Sequence, residues 1–399
     1  MFNTKSRFRM IVSFVIFTIL LFTFEVNAAS LPPDPDNAAL LYYQAFLHLP
    51  DYNYLLIDPV LRGGDPNSAV RDYLEDSREA IELAISASQI SQCNWGIQYS
   101  QGGRALTTLI GQQRFLTYIL NVDARTLAFD GDYRTSFERF LCMRKLAQHI
   151  DDGIPLNYLT SLAIDGMAQR CIQEILGSMI PDADILEWLR GRLAFFESDS
   201  HSLITAIEMD LELSIQNIRS SMDPFDTIDQ IREQMIENAE DQNSIDDILN
   251  LSDDELIALA REPYDEFLNS IFKVIDSEMS YVYKYEEIQR LNSELIDEHP
   301  AVYYIIYWTG GTIDHINRMF DIQFRHMAQF NALKAAIDIY LEVTEAGQLP
   351  EMLPANLPKD PFSGEDFEYE VTNHGFILRC RQVEIGTNEL WEYEFTVTQ

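Results

Sequence analysis

Basic residues are scarce in this chain. It carries 28 lysines and arginines against 64 aspartates and glutamates, a formal net charge of −36. A surface of that sign repels nucleic-acid phosphates and anionic headgroups. Nucleic acid is therefore excluded as a partner, and cationic groups and loosely held divalent ions are favoured. Cysteine is scarce as well. Cys93, Cys142, Cys171 and Cys380 are the complete set, and no two stand at a metal-binding spacing. They allow two disulfides in three connectivities, or buried free thiols. The seven histidines (His48, His149, His201, His299, His315, His326 and His374) include no HExxH and no pair one helical turn apart. His315 and His326 share a helix face but stand three turns apart, too far to hold one metal ion locally. Each histidine is read as structural. The chain also lacks a Walker loop, a Gly-x-Gly-x-x-Gly turn and a Gly-x-Ser-x-Gly elbow. The acidic run at 241–247 lacks the central Gly and terminal Glu of an EF-hand loop. No cofactor and no metal site is expected, and no residue is marked as catalytic.

What is present begins with the N-terminus. Lys5, Arg7 and Arg9 precede an uncharged apolar run of 15 residues from Met10 to Phe24, and Val26-Asn27-Ala28 follows. Basic start, short apolar stretch and small residues before a cut make residues 1–28 a secretory signal peptide. Export to the periplasm or beyond is expected. The alternative is an uncleaved inner-membrane anchor at residues 10–24, shorter than the about 20 apolar residues a spanning helix needs.

After an extended leader at 31–37, Asn37 caps a short helix to about Leu49. A loop punctuated by Pro59, Gly63, Gly64 and Pro66 follows, then a helix over 68–91. The loop Cys93-Asn94-Trp95-Gly96-Ile97-Gln98-Tyr99 is either a ligand lip or a packed plug. The plug is preferred, because large aromatics mostly pack. Leu109, Leu116, Leu120 and Leu127 form one helical stripe. Thr135 and Glu138 offer a capping box for the next helix, which ends near Ile150. A third helix covers about 156–177. Its Leu159, Ala163 and Gly166 stripe suggests close packing against a neighbour. Pro181-Asp182 opens a fourth, and short loops make these helices antiparallel neighbours.

Residues 223–262 hold 13 acidic residues and two basic ones, with a second capping box at Ser252 to Glu255. A long helix is expected from Pro263 to about Asp297. The apolar run 301–309 reads as the start of a buried helix. A final helix begins near Thr312, with Ile316, Phe320, Phe324 and Met327 as its apolar face. Alternation at 367–398 predicts strands, with Asn373-His374-Gly375 as a hairpin turn. Phe362 is expected to pack beneath this sheet.

Three resemblances accompany these readings. Residues 104–177, with Gly131-Asp132-Tyr133 between two amphipathic helices, resemble helical hairpins of the tetratricopeptide type, without a clean 34-residue period. Ala335-Ala336 to Tyr340, Gly347-Gln-Leu-Pro350, Leu357-Pro358-Lys359-Asp360-Pro361-Phe362-Ser363-Gly364 and Tyr369 are similar to the globular part of type II secretion major pseudopilins. The pilin N-terminal processing motif is absent, and Arg379 to Asn388 lacks the acidic calcium ligands. Calcium binding and filament assembly are therefore not implied. Most of the chain resembles large exported proteins of unknown function in Planctomycetes and related bacteria. Those join an Asn37-Ala-Ala-Leu-Leu-Tyr-Tyr type of start, a Cys-x-Trp-Gly loop, a Gly-Asp hairpin and an Asp-Pro-Phe-Ser-Gly tail.

The expectation is a mostly α protein. An irregular helical-hairpin, tetratricopeptide-like array occupies 29–330, including the acidic segment 223–262. A pseudopilin-like helix-plus-sheet module with an antiparallel sheet occupies 331–399. The expected function is non-catalytic binding of a protein or peptide partner in the cell envelope, or scaffolding there. A hydrolase acting on an envelope or extracellular substrate is the alternative. A secretion or pilus-like accessory is a weaker one, and membrane contact is expected only through an uncleaved N-terminus.

Overall fold

Asn37 accepts from the Ala39 N–H and opens the first helix, α1 (Ala38–Leu47), whose Ala38, Tyr42 and Ala45 are fully buried. The computed structural model describes residues 36–100, 107–196, 203–220, 224–237, 246, 248–308 and 316–398. The signal peptide expected at 1–28 lies outside them, as do His201 and His315. Residues 37–399 form one unit, mostly helical and followed by a three-stranded antiparallel sheet. No described helix is long and apolar enough to cross a membrane.

Local signals explain most helix starts. α5 (Thr107–Phe129) carries the buried Leu116 and Leu120. Asp132, rather than Thr135, caps α6 (Tyr133–Ile150): its carboxylate is already placed to accept from the Thr135 N–H. α7 (Pro155–Ser178) begins on a proline, whose fixed φ suits a first helical position. Asp182 caps α8 (Ala183–Ala194) through the Ile185 N–H. The Ser252 box forms as expected, with Ser252 and Glu255 bonding each other's backbone N–H groups.

Proline and serine punctuation departs from expectation. Residues 54–61, read as loop, form α2 (Tyr54–Leu61) with Pro59 inside it. The span 68–91 divides into α3 (Ser68–Asp76) and α4 (Arg78–Ser88) at the buried Ser77, whose hydroxyl donates to the Tyr73 carbonyl. After α9 (Leu203–Ser220) and α10 (Pro224–Glu237), α11 (Asp253–Ile275) runs through Pro263. It stops at Asp276, and Ser280 caps a separate helix, α12 (Tyr281–Glu298). A proline costs a helix the bond to the carbonyl four residues earlier. Here those residues are Leu55 and Leu259, 87% and 48% exposed, so water can take over the carbonyls. α13 (Pro300–Trp308) buries Val302, Ile305 and Ile306, as the apolar run implied.

The last helix, α14 (Ile316–Ala346), passes unbroken through 330 and 331 and packs on α7, α8 and α12. Strands β1 (Glu368–Val371), β2 (Gly375–Arg379) and β3 (Glu392–Thr396) pair in that order. Phe376 faces Phe395 and Leu378 faces Tyr393 on the buried side. A side chain at Gly375 would collide with the Phe395 carbonyl, so only glycine lets the hairpin close. β3 leans on α7: Gln173 Nε2 donates to the Glu394 carbonyl and Thr398 Oγ1 to that of Gly177. Phe362 is fully buried. It meets α12 and α14, edge-on to Tyr281 at 4.8 Å and 5.9 Å from Phe324.

A buried polar clamp joins the segment between β2 and β3 to the helices. Tyr281 donates to Asp321 Oδ1 at 2.5 Å and accepts from the Ile385 N–H. Glu384, 1% exposed, receives both arms of Arg325 and the Trp391 indole N–H. A Cβ on Gly386 would strike the Asp321 carboxylate. Burial, reinforced by Glu384, raises the Asp321 carboxyl from 3.8 to about 6, against the opposing Tyr281 hydroxyl, Gly386 N–H and Arg325. The folded protein then holds this proton more tightly than the unfolded chain. The stabilising contribution is complete below about pH 4 and is lost as pH rises through about 6. Asp321→Asn is therefore expected to gain stability relative to wild type between pH 4 and 7, by roughly 2–3 kcal/mol. Urea midpoints across that range measure it, and a pH-independent difference would refute it.

Candidate functional site

Three helices bring one ionisable side chain each to a buried meeting point. Arg144 comes from α6, Asp165 from α7 and His326 from α14. The side chains of Arg144 and Asp165 are 4% and 2% exposed. Arg144 Nε lies 2.5 Å from Asp165 Oδ1, and its Nη2 lies 3.0 Å from Oδ2. His326 Nε2 approaches the same Oδ2 at 2.6 Å and Gln169 Nε2 at 3.1 Å. A carboxylate accepts only, so both nitrogens donate. The Arg144 guanidinium is also flanked by two rings, 4.0 Å from Phe330 and 4.7 Å from Phe196. Both rings attract it by cation–π interaction. Its Nη1 and Gln169 Oε1 are buried without a hydrogen-bond partner.

Two hollows border this cluster, and Leu162 and His326 line both. The first is a cavity of about 440 Å³ walled by Phe196, Phe320, Phe324, Met327 and Phe330. Its basic side chains are Arg144, Lys284, Lys334 and the imidazole of His326, with Asp165 as the one carboxylate among the described residues. Lys284 donates to the Ile275 carbonyl at 2.6 Å, and burial lowers its pKa.

The second is a cleft of about 840 Å³. α5 and α14 each pack on α7, and the face of α7 between them is its floor. That floor holds Met167 and the stripe expected to pack closely, Leu159, Ala163 and Gly166. Ala163 is exposed instead, and a Cβ on Gly166 would touch nothing within 4 Å. The small residues create room that no described helix fills. Arg114, Arg170, Arg318 and Arg325 surround the floor, and no described lining residue is acidic. Arg325 is committed to Glu384, and Arg114 donates to the Tyr118 hydroxyl. Arg170 and Arg318 have no ion-pair partner among the described residues. In a chain with 64 acidic and 28 basic residues, a described lining with four arginines, one of them paired with Glu384 outside it, and no carboxylate of its own marks a local reversal of sign.

Comparison with family models, curated proteins and solved structures returns no match. The chemistry of the side chains has to carry the reading. Nucleophiles are poorly placed. Thr160, at the cleft, donates its hydroxyl to the Leu156 carbonyl. All four cysteines are free thiols. Burial pushes Cys93 and Cys142 up to about 12 and raises Cys171 and Cys380 too, so thiolates are disfavoured. Among the described residues, no group of three His, Cys, Asp or Glu is placed to hold a metal ion. The arrangement is suited to holding an anion.

Other sequence candidates fall elsewhere. Trp95 is 5% exposed and stacks on Tyr42 at 5.4 Å, and its indole donates to the His149 carbonyl. That loop is a plug. His149 meets the Tyr42 hydroxyl, and burial lowers its pKa to about 4, so it is neutral at pH 7. His48 pairs with Glu79 at the surface, His299 follows α12 and His374 lies in the hairpin turn. Sequence reading passed over Arg144, Asp165 and Gln169. One signal was available: on α7, Tyr158, Leu162, Asp165, Gln169 and Ile172 form one buried stripe, and an acid and an amide interrupt it.

Proposed function

We propose that this is an exported, non-catalytic binding protein of the cell envelope. Its helices act as a tetratricopeptide-like array, and the arginine cleft receives an acidic, partly apolar peptide segment of a partner protein. The observation that carries this reading is the cleft itself: Arg114, Arg170, Arg318 and Arg325 around an apolar floor, in a chain otherwise dominated by carboxylates. Guanidinium groups suit carboxylates because their fixed fork matches both oxygens. The apolar floor adds side-chain burial, and the repelling outer surface biases acidic segments toward this basic groove. Export is supported by the basic-apolar-small pattern of residues 1–28.

The test is fluorescence anisotropy with a labelled peptide alternating Glu with Leu and Phe, and a second with Lys for Glu. The Glu peptide is expected to bind more tightly and to weaken from 50 to 500 mM salt. Arg170→Glu with Arg318→Glu is expected to cost about 10- to 100-fold, or roughly 1.4–2.8 kcal/mol. Equal or tighter binding of the Lys peptide would mean that the bulk acidic surface governs, and the reading would fail.

A further inference from the structure

We infer that the acidic segment received by the arginine cleft carries an aromatic residue at one end, and that Tyr52, Tyr54, Phe115 and Tyr118 form the subsite for its ring. This rests on the cleft reading above and adds the residues that set its sequence preference. The aromatic group continues the cleft wall. Tyr118 lines the cleft together with Arg114, one turn earlier on α5, and Arg114 Nη2 donates to the Tyr118 hydroxyl at 3.1 Å. The Tyr52 ring lies 6.5 Å from that of Tyr118, within 26° of parallel, and meets Phe115 edge-on at 4.9 Å. Tyr54 follows at 6.3 Å from Tyr52. Spacings of about 4.5–7 Å are those of interacting rings, so the four make one shelf.

The shelf is open and held in place. Tyr52 and Tyr54 are 53% and 43% exposed. Both neighbours of Tyr52 are tied down: the Asp51 carbonyl accepts from the Tyr73 hydroxyl at 2.8 Å, and the Asn53 side chain accepts from the Leu56 N–H. A ring displayed by a tethered loop loses little freedom on binding. Contiguous exposed aromatic surface marks an interaction site, and tyrosine and arginine are the residues enriched where interfaces gain most of their energy. Charge decides which part of the segment sits there. Asp51 precedes Tyr52, and Asp58 pairs with Arg62, which reaches the Tyr54 hydroxyl at 3.5 Å. Acids beside the rings disfavour a carboxylate on the shelf and leave it to an uncharged ring. The carboxylates of the segment then fall on Arg114 and the arginines beyond it.

The test is fluorescence anisotropy of the full exported chain with three labelled peptides. One is a core alternating Glu with Leu, and the others add a Trp to its N-terminus or its C-terminus. One Trp peptide is expected to bind about fivefold tighter than the core, and the other less than about twofold tighter. In Tyr52→Ala the favoured Trp peptide should bind no tighter than the core does. Tyr52→Phe, which keeps the ring, should retain the gain. Tyr54→Ala, measured in parallel, should reduce it and guards against a folding defect in the Tyr52 variant. A core that binds but gains nothing from Trp, gains equally at both ends, or keeps its gain in Tyr52→Ala would overturn this inference and leave the cleft reading standing. A core that does not bind would overturn both.

Discussion

Asp165→Ala is expected to destabilise the protein by about 3–5 kcal/mol. The Arg144 and Asp165 side chains are 4% and 2% exposed, so water does not replace the lost carboxylate. A guanidinium would stay between Phe196 and Phe330 with Nε and Nη2 unmatched. His326 and Gln169 would lose the same acceptor. A buried charge without its partner costs far more than the pair itself contributes. It follows that Arg144→Met combined with Asp165→Leu should recover at least half of the loss. Urea unfolding followed by helical circular dichroism gives both values. A single-variant loss below about 1 kcal/mol would mean that water reaches the guanidinium. Equal losses in the single and double variants would mean that shape, not charge, sets the cost.

Asp360→Ala should cost about 3 kcal/mol, with the damage concentrated in the tail. Asp360 is fully buried, and its carboxylate accepts from the Phe362 N–H at 2.9 Å, the Ser363 hydroxyl at 2.7 Å and the Arg381 N–H at 2.9 Å. One side chain thus ties the turn before β1 to the residue pair after β2. Its backbone closes the turn too, through Glu365 and Gly364. Hydrogen bonds to a charged acceptor contribute about 1.5–3 kcal/mol each, and three sharing one acceptor are not additive. Asp360→Asn retains an acceptor but presents an NH₂ to donors, so an intermediate loss is expected. Hydrogen exchange should show lost protection at Phe362, Gly364 and Arg381 with α5 to α7 unchanged. Uniform loss across the helices would contradict the local role.

Much of the fold was legible because its causes are local. The Ser252 box works within one turn, and the alternation of Phe376 with Leu378 needs only a strand's period of two. The Leu-Pro-Lys-Asp-Pro-Phe-Ser-Gly turn announced itself through Asp360 and Gly364, where a φ of 75° requires glycine. Readings that depended on a neighbour went wrong. Pro59 and Pro263 look like breaks, yet exposed Leu55 and Leu259 let the helices continue. Ala163 and Gly166 look like packing residues, yet Ala163 is exposed and a Cβ on Gly166 would meet nothing within 4 Å among the described residues. The rings that Phe362 meets, Tyr281 and Phe324, depend on where the turn is docked.

By itself the sequence determined an acidic, mostly helical chain with a small antiparallel sheet at its end. Capping, helical periodicity and alternation act between residues one to four apart, and each is written into the chain directly. Only the tertiary structure decided where the few cations gather. Asp165 lies 21 residues from Arg144 and 161 from His326. Arg114 and Arg318 reach one cleft because α5 and α14 flank the same face of α7. Burial then gives those groups their chemistry, since a charge removed from water must find a partner nearby, and packing alone determines what is nearby.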